Sequence, residues 1–113
     1  MGFIGQTWRL YHQQQLLGQL VVGQLVVTDA DCPWLRARFQ AEPGFEKVRP
    51  LFAEELRLAD AVDDDVEAWE TAYGQVRDAV SLAAPDGRRV PEFLLHIQGA
   101  NAWWRWNDEP FPA

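Results

Sequence analysis

Apolar residues recur with period two at both ends of this chain and with period three to four between them. Residues 7–12 alternate, with Trp8, Leu10 and His12 on one side and Thr7, Arg9 and Tyr11 on the other, the pattern of a strand. Gln13, Gln14 and Gln15 read as a hairpin turn, and the apolar run 16–28 reads as a second strand. Asp29-Ala30-Asp31-Cys32-Pro33 breaks that run. Residues 34–39 alternate again and set Trp34, Arg36 and Arg38 against Leu35, Ala37 and Phe39. Glu42-Pro43-Gly44 marks another turn. Pro50 then opens a short helix over 50–60, at the position where a missing N–H costs nothing, with Leu51, Phe52, Leu56 and Ala59 toward the core. In 66–82, Val66, Trp69, Tyr73, Val76 and Val80 form an apolar stripe, while Glu67, Glu70, Gln75, Arg77 and Asp78 fall mostly off it. That is an amphipathic helix. Asp63-Asp64-Asp65 stands at the positive end of its dipole, and Asp64 with Glu67 has the spacing of a capping box.

The second strand contains a duplication. Gly18-Gln19-Leu20-Val21-Val22 is followed at once by Gly23-Gln24-Leu25-Val26-Val27. Five is odd and side chains alternate with period two, so an unbroken strand turns the second copy to the opposite face. Either a bulge near Gly23 resets the phase, or one copy leaves the core register. The stretch holds no charge and no proline, so an exposed edge here is adhesive.

After the turn Pro85-Asp86-Gly87 comes the stretch on which the rest is organised, residues 91–106. It reads as two strands joined through Gln98-Gly99-Ala100-Asn101. Phe93, Leu95 and Ile97 oppose Leu94, His96 and Gln98; Trp103 and Arg105 oppose Ala102, Trp104 and Trp106. The tail 107–113 carries two prolines and is expected to dock loosely. The order β-β-β-α-α-β-β predicts one α+β domain over residues 1–113. Its single, mostly antiparallel sheet of about five strands carries one long amphipathic helix on one face. The other face is left for water or a partner.

Composition and charge narrow the function classes. The chain of 113 residues is long enough for a core without disulfides or metals. Its net charge of −7 argues against a nucleic-acid backbone or an anionic membrane, both of which need a basic footprint. Cys32 is the sole cysteine, which fits a reducing compartment. The start, MGFIGQTW, has no signal-peptide pattern, and no apolar run approaches the ~20 residues of a membrane span. A cytoplasmic location is the expectation. Six tryptophans in so short a chain mean a large aromatic core, a binding face, or both.

Arg36, Arg38 and Arg105 lie among Trp34, Trp103, Trp104 and Trp106, an interleaving that can stack a planar or anionic ligand. It can equally be arginine stems covering tryptophan. His96 stands in mid-strand. With His12, Cys32 and Asp31 it lacks the close spacings of a metal site, so no metal and no cofactor is expected. Carboxylates near Cys32 disfavour its thiolate. Ser81, the only serine, has no Gly-x-Ser-x-Gly around it. Asp63-Asp64-Asp65 reads as a helix start before a metal cluster.

The segments RPLFAEELRL and VPEFLLHI, followed by WWRW, resemble small uncharacterised proteins of GC-rich, actinobacterial-type bacteria. The dominance of arginine over the single Lys47 agrees with such a source. The resemblance spans the last two-thirds of the chain and implies a compact single domain, with no activity attached.

The expectation is therefore a non-enzymatic interaction module, acting on a protein partner or on a second copy of itself. The alternative is a small-ligand binder or minor enzyme with a pocket lined by Trp34, Arg36, His96 and Trp104. Binding residues on either reading are Trp34, Arg36, Arg38, His96, Trp104, Arg105 and Trp106.

Overall fold

The computed structural model describes residues 2–14, 18–31, 33–60 and 65–107. Six strands form one sheet: β1 (Thr7–Gln14), β2 (Gly18–Asp31), β3 (Trp34–Ala41), β4 (Val80–Ala83), β5 (Glu92–Gln98) and β6 (Asn101–Asn107). Their order across the sheet is β4-β1-β2-β3-β6-β5, and every ladder is antiparallel. Between β3 and β4 lie a short 3-10 turn (Pro43–Lys47) and two helices, α1 (Arg49–Ala59) and α2 (Val66–Ala79).

The sheet curls until its edges nearly meet. Beyond β4 the chain folds back: Val90 N–H donates to Leu82 O at 3.0 Å and Ala84 N–H to Arg88 O at 2.9 Å, two residues before β5 begins. The helices fill the remaining gap. The Tyr73 hydroxyl on α2 donates to Phe93 O at 2.6 Å and accepts from Leu95 N–H at 2.9 Å. One phenol thus takes the place of a neighbouring strand along β5, whose unpaired edge groups would otherwise invite another chain. Burial holds the Tyr73 hydroxyl well above its ordinary pKa, so it keeps the proton it donates.

The concave face of this near-barrel is the core. Trp8, Leu10, Leu25, Leu35, Phe39, Leu95 and Trp104 line it, and Phe45, Phe52 and Val76 close it from the helical side. Each such side chain contributes roughly 1.5–3 kcal/mol on burial.

The duplicated pentapeptide reaches the core through a bulge, the first of the two alternatives. Leu10 pairs with Gly23 and Tyr11 with Val21, so Val22 is the extra residue. The reset brings Leu20 and Leu25 to the same side of the strand, opposite His12 and Trp8. Their fates still differ: Leu25 is fully buried, whereas Leu20, past the end of the core, is 44% exposed. Gly23 is required where it stands, because a Cβ there would run into the Phe39 ring.

Three expectations are corrected. There are six strands, not about five, because residues 80–83 leave the α2 pattern and pair with β1 as β4. Val80 serves a strand as well as the helix stripe, and β1 supplies an open edge. The long helix does not lie alone on one face of an open sheet; α1 and α2 together stop the opening of a curled one. The cap of α2 is Asp65, which accepts from Ala68 N–H at 3.0 Å. Asp63 and Asp64 lie outside the described residues, as do Cys32 and the tail 108–113.

Candidate functional site

The sheet sorts the tryptophans into two groups. Trp104 pairs with Leu35 and Leu95, and Trp106 with Phe93, so both lie on the concave side with Trp8. Trp8 meets Trp104 and Trp106 edge-on, with ring centroids 5.5 and 5.1 Å away. Phe3 extends this aromatic column outward, 5.5 Å from Trp106. The indole N–H groups of Trp8 and Trp104 are buried with no acceptor among the described residues.

The second group surrounds one buried charge. Glu55, on α1, is the sole buried charged residue among the described residues, at 0% exposure. Its carboxylate accepts from Trp69 Nε1–H on α2 at 2.8 Å and meets Nδ1 of His96 on β5 at 2.9 Å. The His96 ring has the Trp103 ring of β6 and the Trp34 ring of β3 beside it, with centroids 5.4 and 6.0 Å away. Three elements are thus fastened by one carboxylate. Removing either partner of such a buried pair strands the other, at a cost of roughly 3–5 kcal/mol.

A carboxylate oxygen accepts, so His96 Nδ1 is the donor in this contact. Among the described residues no three metal-binding side chains converge. The pair serves as a pin that fixes α1 to the sheet and sets the planes of Trp34 and Trp103.

The expected site residues divide accordingly. Trp34, Arg36, Arg38, His96 and Arg105 share the convex face, where Arg36, Trp103 and His96 stand side by side across β3, β6 and β5. Arg36 sits 4.0 Å from Asp29, an exposed pair. Trp104 is on the other side and fully buried, so the pocket of Trp34, Arg36, His96 and Trp104 is not assembled. Trp106 is also on the concave side, but at its rim.

There it meets Trp34. Phe3, Ala30, Pro33, Trp34, Leu35 and Trp106 line an apolar cleft of about 180 Å³ beside the β2–β3 turn. Ile4, 68% exposed, lies next to Phe3. Sequence reasoning missed both ends of this arrangement. Phe3 and Ile4 precede the first alternating segment. Glu55, however, was signalled: it lies three residues after Phe52 and four before Ala59, a carboxylate on the apolar stripe of its helix. No helix of the described residues is long and apolar enough to cross a membrane.

Compared with protein-family models, curated proteins and solved structures, the chain finds no match.

Proposed function

We propose that this chain is a non-enzymatic, cytoplasmic protein-interaction module that docks through the cleft between Trp34 and Trp106. The observation that carries this is the size of the cleft. About 180 Å³ is close to an engineered cavity of ~150 Å³ that holds benzene, and below the ~300 Å³ at which metabolite sites begin. It suits one aromatic or branched aliphatic side chain. Interfaces are anchored in this way, by a single apolar residue in a pocket walled by tryptophan. Exposed Ile4 and Phe3 extend the apolar surface at its edge. The Trp69–Glu55–His96 pin lies behind Trp34 and holds that wall in place before a partner arrives, which lowers the entropy cost of binding. The occupant is a side chain of another protein, or of a second copy of this chain.

The test is a peptide-display selection against the wild-type protein, counter-selected with Trp34→Ala. Enriched peptides sharing one Trp, Phe, Leu or Ile anchor, and losing binding on Ile4→Asp, support the reading. Peptides with no common apolar anchor, or binding both variants equally, overturn it. Native mass by light scattering over a tenfold concentration range separates the two occupants: a dimer that Ile4→Asp dissociates makes the partner a second copy.

A further inference from the structure

We propose that the groove between α1 and the β5–β6 turn binds a small amphipathic anion, with an apolar body and one acid group anchored by Arg49. This stands apart from the cleft and from the function proposed for it. The groove encloses about 420 Å³, within the ~300–1,000 Å³ of small-molecule sites. Phe45, Phe52, Leu56 and Ile97 make an apolar floor.

Two guanidiniums line it, eight residues apart on α1 and so ~12 Å apart along the axis. Each is oriented by a carboxylate three residues before it. Arg49 gives Nε and Nη2 to Glu46 at 3.0 and 2.7 Å, and lies 5.0 Å over the Phe45 ring. Arg57 gives Nε and Nη2 to Glu54 at 3.0 and 2.5 Å. In both, Nη1 makes no hydrogen bond among the described residues. A guanidinium fixed in advance loses little entropy on meeting a ligand.

The two ends of the groove differ in sign. Arg57 stands between Glu54 and Asp60, and Asp60 itself lines the groove. Arg49 has Glu46 alone, and it begins α1, whose first turn carries no acidic residue and whose dipole is positive there. An acid group is therefore favoured at Arg49 and disfavoured at Arg57. The apolar body then lies along Ala53 and Leu56, over the buried Phe45, Phe52 and Ile97.

The probe is 1-anilinonaphthalene-8-sulfonate, paired with N-phenyl-1-naphthylamine, the same rings without the sulfonate. Dye fluorescence is titrated against the full chain. The sulfonated dye is expected to bind about tenfold or more tightly than the neutral one, as one charge-assisted contact predicts. Arg49→Gln should erase that preference, whereas Arg57→Gln should change it less than about threefold, because that charge is already offset. Ala53→Phe, at an exposed position of the groove, should block both dyes while thermal unfolding shows the fold intact. Equal binding of the two dyes, equal effects of the two arginine variants, or binding that survives Ala53→Phe would overturn the proposal.

Discussion

Three tryptophans lie on the concave side of the sheet and three gather around Glu55 and His96, and the two sets are held by different physics. Trp8, Trp104 and Trp106 pack edge to face in the concave core, with two indole N–H groups left without an acceptor among the described residues. Trp69, Trp103 and Trp34 gather around Glu55 and His96, where a carboxylate organises them. In the first set, Trp8 and Trp104 are a solvent-excluded mass whose value is area and dispersion, with Trp106 at its rim. The second is a polar network with aromatic walls, half exposed. The excess of tryptophan therefore has no single explanation: one set belongs to the core and the other surrounds the buried Glu55–His96 pair.

The largest test of that contrast is truncation on each side. Trp104→Ala should cost roughly 3–5 kcal/mol, since nothing can collapse into a fully buried site between Leu35 and Leu95. Trp103→Ala, adjacent in sequence but on the convex face, should cost about 1 kcal/mol. Urea denaturation of both variants measures the pair. Equal losses would show that the convex tryptophan is core as well, and the division would fail.

Next in size is the pin. Glu55→Ala leaves His96 and Trp69 without their partner and should cost roughly 3 kcal/mol. The double variant Glu55→Leu with His96→Phe removes both polar groups and should recover most of that. If the double variant is as unstable as Glu55→Ala, the carboxylate holds something besides the ring and the indole.

Strand alternation made much of the fold legible in the sequence. The faces of β3, β5 and β6 follow directly from residues 34–39, 93–98 and 102–106. An odd repeat meeting a period of two left either a bulge or a copy out of register, and the bulge at Val22 is the one that forms. What the pattern does not encode is curvature. An alternating strand reads the same in a flat sheet and in a near-barrel, so the sheet was expected to leave an open face and a single covering helix. β4 was hidden for a related reason: Val80 continues the helical stripe until the free edge of β1 claims residues 80–83. Trp104 shows the limit for sites. Its neighbours in sequence, Trp103 and Arg105, are on the convex face, and only register separates them from it.

A smaller effect lies at the edge that joins the two sets. Tyr73→Phe removes the two hydrogen bonds to β5 and should cost about 1–3 kcal/mol at neutral pH. It should also change the alkaline limb. The folded chain holds the Tyr73 proton more tightly than the unfolded chain, where tyrosine has its ordinary value of 10.0. Below that pH both states are protonated and the group adds no slope. Above it the unfolded state loses its proton first, so stability falls by about 1.4 kcal/mol per pH unit. The difference between wild type and Tyr73→Phe should therefore shrink as pH rises past about 10. A difference that stays constant would mean that this hydroxyl is not buried in solution.

The smallest effect asks only what a quencher can reach. Trp34 and Trp103 stand half exposed on the convex face, while Trp8 and Trp104 are sealed in the core. Iodide should quench one fraction of the emission and leave another untouched. Trp34→Phe keeps a ring against His96 and should shift stability by about 1 kcal/mol at most. It should still lower the quenchable fraction, because it removes an accessible indole. Trp104→Phe should raise that fraction, because it removes a sealed one. Opposite signs from two substitutions of the same chemistry would fix the two populations independently of any stability measurement. The same sign from both would mean that the sheet opens often enough for iodide to see its two faces alike, and the cleft beside Trp34 would then not be prepared before a partner comes.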